Sequence, residues 1–327
     1  MRRKALRCAA ALVMALMCAV AFTGCIHIDL SDRDISLFAK VVTLSDHCVE
    51  LTETPEAGHT YRIAFEKMVF TNTKGTIKII YSETPSIQAT VSEELVENGF
   101  AITVKNGVIR IGTSRNLRLR GGRFDVTVYA PFNEIALGGG YEVEIDAAGA
   151  KELELSASGV VNGGVEKLDA EKCKVTISGA GAFSLSGRAE EAKLQLSGAG
   201  ELIANDFACK ELEVKLSGAA AGKLENLAVE KCKASISGAG EMTLSGTARA
   251  AELHISGAGE MDAARFTCNE LDAHISGAGS IVVSVVERLD AEISGAGSVE
   301  YYGDPQVNKS TSGAASVKRL GAEFPGK

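Results

Sequence analysis

The chain of 327 residues has no tryptophan, five prolines and only 5% aromatic residues. Platforms for stacking sugars or bases, and the aromatic lining common in enzyme clefts, are therefore scarce. No basic cluster stands out beyond the first seven positions, and 34 basic residues face 42 acidic ones, a formal charge of −8. A phosphate-neutralising surface is not expected, and nucleic acid is excluded as a partner. After the first segment no apolar run is long enough to span a bilayer, so the remainder is read as lying outside the membrane. What is plentiful is apolar content, at 46%, and glycine, at 35 residues. That content can bury one large core or two smaller ones, which rules out both a disordered tail and a disulfide-stapled miniprotein.

The first segment is an address. Arg2, Arg3, Lys4 and Arg7 precede an apolar stretch from about Ala9 to Phe22, which ends in Phe22-Thr23-Gly24-Cys25. The stretch is too short to span a bilayer stably and is followed by polar Ser31, Asp32, Arg33 and Asp34, so residues 1–24 read as a cleaved signal peptide. Small residues before Cys25 resemble the lipobox of bacterial lipoproteins, with Phe22 departing from its usual aliphatic residue. That resemblance implies lipidation at Cys25, a membrane contact through the N-terminal lipid, and an exported protein facing the extracytoplasmic side. Cleavage would leave 30 basic and 42 acidic residues.

Past Cys25 the cysteines are Cys48, Cys173, Cys209, Cys232 and Cys268, an odd number, so at least one is unpaired or pairs between chains. Export makes disulfides a serious option. The repeat answers most of that question.

The tetrapeptide Ser-Gly-Ala-Gly or a close relative begins at Ser178, Ser197, Ser217, Ser237, Ser256, Ser276, Ser294 and Ser312, at spacings of 19, 20, 20, 19, 20, 18 and 18. A fixed period near 19 is the mark of a solenoid. Weaker copies at Leu155-Ser156-Ala157-Ser158-Gly159 and Leu137-Gly138-Gly139-Gly140 extend it backward, giving about ten turns across residues 135–320. Glu171-Lys172-Cys173-Lys174 returns as Glu230-Lys231-Cys232-Lys233, a shift of 59 residues, which points to duplication of a three-turn block.

Within each turn the apolar period is 2. Leu253 and Ile255, or Leu271, Ala273 and Ile275, sit at odd places ahead of the Ser-Gly corner, as strands with one buried face require. The same register turns Cys173 and Cys232 inward as buried thiols. At about 4.8 Å per stacked strand, three turns separate them by roughly 14 Å, too far for a disulfide. Cys209 with Cys268 fails likewise, and Cys209 with Cys232 stays open. Four places before each corner the outward residues read Lys174, Lys193, Glu213, Lys233, Glu252, Asp272 and Asp290. Alternating signs in the middle of this column favour parallel stacking, whereas its acidic end has no explanation at this level. A second, shorter strand follows each corner, glycine permits the bend, and the corner serines are expected to bond neighbouring backbone.

Residues 70–134 have another texture: short apolar strands such as Ile77-Lys78-Ile79-Ile80-Tyr81, with Asn106-Gly107 marking a hairpin between two of them. This region reads as an antiparallel cap on the open end of the stack, preceded by an extension or linker over 25–69 and matched by a tail at 321–327. The fold class is thus all-β, a parallel β-helix of 18–20-residue turns with an N-terminal antiparallel region.

The lipoprotein signal, Asn106-Gly107-Val108-Ile109-Arg110-Ile111, the Ser-Gly-Ala-Gly turns and Tyr301-Tyr302-Gly303-Asp304-Pro305 together resemble the bacterial putative auto-transporter adhesin family with a head GIN domain. The likeness covers roughly residues 70–320, with Ser-Gly-Ala-Gly-Glu or Ser-Gly-Ala-Gly-Ser where the family often has Ser-Gly-Ser-Gly-Asp. It implies a right-handed, β-helical surface protein whose adhesin label is itself an inference.

Chemical readings of the repeat are weak. Eight equivalent serines at corners do not make a nucleophile, which needs one positioned base. Ser178-Gly179, Ser197-Gly198, Ser237-Gly238, Ser256-Gly257, Ser276-Gly277 and Ser294-Gly295 are read as structural corners. Gly-Ala-Gly lacks the third glycine and helix of a dinucleotide fingerprint, and acids follow only some corners, unlike calcium-binding β-rolls. The distinctive outward pair is His254 and His274, two places before successive corners and expected to stack about 5 Å apart. Glu252, Asp272, Asp290 and Glu292 lie beside them, so this face is the candidate interaction surface or weak metal site. A polysaccharide-cleaving enzyme is the alternative, but the acidic cluster shows no arginine beside it and no evident acid and base pair. The reading is a noncatalytic solenoid without cofactor that binds an unknown protein or glycan, with a structural envelope role as the other alternative.

Overall fold

The structure, a computed structural model, describes residues 40–71 and 73–325; the signal segment and Cys25 lie outside the described residues. Strand accounts for 81% of the chain and helix for 2%, in a parallel solenoid of about nine turns. No helix among the described residues is long and apolar enough to cross a membrane.

The repeat builds the stack. Strands β9 (Phe132–Asp146), β10 (Glu152–Asn205), β11 (Ala208–Gly218), β12 (Ala221–Gly238), β13 (Glu241–Gly257), β14 (Glu260–Gly277) and β15 (Ser280–Gly295) each run through at least one bend. They pair in parallel with their successors. Ile236, Ile255, Ile275 and Ile293 fall in one register, as do Ser237, Ser256, Ser276 and Ser294. Alternation then does the sorting: Leu253, Ile255, Leu271, Ala273, Ile275, Leu289 and Ile293 are all buried in one continuous core. Short strands β16 (Ser298–Tyr302), β17 (Gln306–Gly313) and β18 (Ser316–Gly321) close the C-terminal end.

The corner glycine is set by two constraints at once. Gly257 and Gly277 have φ of 121° and 123°, where L side chains are strained. A Cβ on Gly277 would also lie 2.3 Å from the carbonyl oxygen of Gly257 in the turn below. The serines behave differently from expectation. Their side chains face solvent and form no hydrogen bond among the described residues. Backbone amides secure the corner instead: Ala258 donates to Gly238 O at 2.9 Å and Ala278 to Gly257 O at 2.8 Å.

Residues 40–69, expected to belong to an extension, are woven into the sheet. Strand β1 (Lys40–Leu44) pairs in parallel with β7 (Val108–Gly121), and β3 (Tyr61–Thr71) runs in parallel between β7 and β9. On the other side of the coil, β4 (Ile77–Tyr81) joins β9 to β8 (Phe124–Ala130), again in parallel. The expected antiparallel pairing is present at the outer margin, where β2 (Cys48–Glu53), β5 (Ser86–Ser92) and β8 pair in turn. The hairpin of β6 (Phe100–Lys105) with β7 is antiparallel too, and Asn106 and Gly107 both take positive φ, as an Asn-Gly turn requires. Helix α1 (Glu93–Glu97) is one turn long and packs against β1, β5 and β6 with Leu95 fully buried. It plugs the N-terminal end of the core. The solenoid thus runs on into the cap through parallel ladders that its short, unlike strands conceal in sequence.

The cysteine question is settled by register. Cys209 faces Val229 and Cys232 faces Leu212, so the two are staggered and unbonded, and all five described cysteines are free thiols. Cys173, Cys209, Cys232 and Cys268 are buried, and burial pushes each thiol up to about 12. Cys48 alone among them is exposed. Thiol-specific labelling with peptide mapping should therefore modify Cys48 within minutes in the folded chain and the other four only after denaturation. Rapid labelling of Cys232 without denaturant would contradict this packing.

Candidate functional site

Two outward columns flank the buried residue that lies five places before each corner. One holds Glu191, Glu211, Lys231, Glu270 and Arg288; the next holds Lys193, Glu213, Lys233, Glu252, Asp272 and Asp290. Between them the surface sinks into a trough. One stretch, of about 420 Å³, runs from Glu134 past Glu154 and Lys174 to Lys193. A second, of about 410 Å³, starts from the same Glu191 and Lys193 and continues to Asp272. Eight strands cross this path, so at strand spacing it is about 34 Å long.

The walls are cross-linked between turns. Lys174 pairs with Glu154 at 2.6 Å, Lys231 with Glu211 at 2.8 Å and Lys233 with Glu252 at 2.6 Å, while Lys193 reaches Glu213 at 3.9 Å. Exposed pairs of this kind contribute under about 1 kcal/mol each, so their main effect is to fix an evenly stepped pattern of charge. The carboxyl of Glu211 is held below its usual range chiefly by the hydrogen bond from Lys231, and that of Glu213 chiefly by Lys215. Away from the trough, Asp169 is lowered by Arg188 and Asp146 by Lys167. A depressed folded-state pKa stabilises above the unfolded value and loses that stabilisation as pH falls through the folded one. Melting temperature should accordingly stay level from about pH 7 to 5 and drop between about pH 4.5 and 3. A melting temperature unchanged at pH 3 would show that these pairs do not couple to folding.

The histidine face forms as the repeat predicts. His254 and His274 are register partners with ring centroids 5.3 Å apart and planes inclined by 31°. His274 Nδ1 lies 3.3 Å from Glu292 Oε2, its partner on the following turn. Glu252, Asp272 and Asp290 form the neighbouring column, which Lys233 and Asn308 continue at either end. One expectation is corrected. The acidic cluster does have an arginine: Arg288 contacts Glu270 at 3.1 Å, Asp290 at 3.0 Å and Asp272 at 3.9 Å. That contact explains why like charges can stack there, and it draws both aspartates onto one cation instead of leaving an acid and base pair. No three His, Cys, Asp or Glu side chains among the described residues converge to hold an ion. Stacking spreads these groups over two columns, and Glu292 is engaged with His274. Arg288 was legible in sequence two residues before Asp290, had both columns been read together.

A second charged surface was missed. Residues 98–124 carry one lysine and five arginines and no acid. Strand β7 gathers Arg118 and Arg120 on one face, between Val41 and Thr43 of β1 and Val69 and Thr71 of β3. Arg115 is exposed at the preceding bend. The spacing of 115, 118 and 120 hides the cluster from a search for contiguous charge.

The sequence profile of the family described as "Putative auto-transporter adhesin, head GIN domain" matches residues 64–224 and 212–305. A putative adhesin from Parabacteroides merdae is similar in structure at 20% identity and a TM-score of 0.49, over 86% of this chain and 100% of that one. A putative lipid binding protein from Parabacteroides distasonis gives 18% identity and a TM-score of 0.46 over the same shares. A putative adhesin from Parabacteroides distasonis gives 15% and 0.49, again over 86% and 100%. No curated protein matches the chain.

Proposed function

Because the chain belongs to the putative auto-transporter adhesin, head GIN domain family, we propose that it is an exported, noncatalytic surface protein, anchored through a lipid on Cys25, whose solenoid face binds an extended partner. The observation that carries this reading is the trough. Its floor is buried apolar residue after buried apolar residue, and its rims offer charges repeated at strand spacing, which suits a linear polymer or peptide better than a compact small molecule. The partner is a protein or a glycan, met at the columns of Glu252, Asp272 and Asp290 and the adjoining His254, His274 and Glu292.

Binding of the purified protein to arrays of host glycans, matrix proteins and cell-wall fragments tests this, at two pH values and with or without chelator. The expected result is a saturable ligand whose affinity falls at least about tenfold in a Lys231→Glu/Lys233→Glu variant, as removal of two complementary charges implies. Binding that survives reversal of these rims and loss of both histidines would move the site elsewhere. No ligand under any condition would favour a structural envelope role.

A further inference from the structure

We propose that the arginine face of β7 rests on an anionic lipid surface, so that the N-terminal end of the solenoid docks on the membrane and the acidic remainder projects from it. The geometry is that of a surface contact. Val41, Arg118 and Val69 form one outward row and Thr43, Arg120 and Thr71 the next. The first row continues through Gly140 to Val160. Val41, Val69 and Val160 are 63%, 43% and 41% exposed, among the few large apolar side chains left to solvent. Val41, Thr71, Arg118 and Arg120 also line a hollow of about 230 Å³. A guanidinium group set between exposed apolar side chains matches a boundary where phosphate headgroups overlie acyl chains.

Charge separates this face from the rest. Of the arginines here, Arg123 is paired with Asp125, whereas Arg115, Arg118 and Arg120 form no ion pair among the described residues. Residues 125–327 hold 18 basic against 30 acidic side chains, beginning with Asp125 and with Glu134 and exposed Glu142 on β9. An anionic surface therefore attracts one end of the molecule and repels the other, which orients it. The tether is consistent: β1, the partner of β7, begins at Lys40, 15 residues after Cys25, a reach of no more than about 50 Å. That last point rests on the lipid anchor proposed above; the charge and exposure arguments do not.

The test uses the full, processed chain mixed with vesicles of phosphatidylglycerol or of phosphatidylcholine, with flotation and arginine-selective labelling by phenylglyoxal read together. On phosphatidylglycerol at low salt, labelling of Arg118 and Arg120 should fall at least about fivefold and recover in high salt, with exposed Arg249 as the unaffected reference. An Arg118→Gln/Arg120→Gln variant, altered only at exposed positions, should keep its circular dichroism and lose the additional hydrogen-exchange protection that phosphatidylglycerol vesicles confer at residues 41–44 and 69–71. Flotation on both vesicles with equal arginine labelling would overturn the docked face and leave the anchor standing. Flotation on phosphatidylglycerol alone, with the arginines protected, would support the face and remove the anchor. Protection by a soluble sulfated glycan but not by phosphatidylglycerol would overturn the proposal in favour of an acidic polymer.

Discussion

Replacing Gly277 by alanine should cost about 3 kcal/mol of stability, out of proportion to the single methyl group added. Left-handed backbone costs a non-glycine residue about 1–2 kcal/mol, and forcing a carbon into a packed site costs about 1–3 kcal/mol more. Both apply here, since φ is 123° and the new Cβ would sit 2.3 Å from Gly257 O. The obstacle is backbone held in the ladder, with no flexible side chain to step aside. Gly58 supplies the control: its φ is 80° but nothing lies within 4 Å of its Cβ position, so Gly58→Ala should show only the conformational part. Ser276→Ala, at a solvent-facing side chain without a hydrogen bond, should change stability by less than about 0.5 kcal/mol. Chemical denaturation of the three variants checks the order. Equal effects at Gly277 and Gly58 would show that stacked corners do not limit the fold.

Removing one whole turn should be tolerated, whereas removing half a turn should abolish cooperative folding. Excision of residues 238–256 joins Ser237 to Gly257 and restores Ile236-Ser237 followed by Gly257-Ala258-Gly259, the native corner sequence. It also brings Lys233 beside Asp272 and Lys231 beside Glu270, pairs of opposite sign in the same columns. A solenoid is stabilised by each turn and its contact with the next, so the product should be a rod shorter by about 4.8 Å with a single melting transition. Excising only 238–247 places the strand carrying Ala251, Leu253 and Ile255 on the wrong side of the coil, away from its ladder partners Leu271, Ala273 and Ile275. Solution scattering and thermal melting distinguish the products. Loss of folding in the whole-turn deletion would mean that the turns are not interchangeable units.

Legibility followed the range of the interactions. Each Ser-Gly corner and each isoleucine ahead of it repeats every 18 to 20 residues, so periodicity alone gave both the strands and their register. The stacking of His254 on His274 came from the same arithmetic. Where the repeat fades, neighbours in space are no longer related by a fixed shift. The insertion of β3 between β7 and β9 pairs residues that no periodicity links, as does that of β4 between β8 and β9. Helix α1 is too short to show a helical period, and its signal is one buried Leu95 among acids. At the candidate site, reading one column at a time found Glu252, Asp272 and Asp290 but not Arg288, which crosses from the adjacent column. The arginine face escaped for a related reason, because Arg118 and Arg120 become part of one surface only when β1 and β3 flank β7.

The central claim, that the solenoid face mediates attachment, is tested most directly by adhesion of cells displaying the chain. These should bind a host-derived surface several-fold better than cells displaying an unrelated, capped β-helix at equal surface density. Reversal of Lys231 and Lys233 to glutamate should remove the excess without lowering display. Attachment equal to that of the unrelated β-helix on every surface tried would contradict the account.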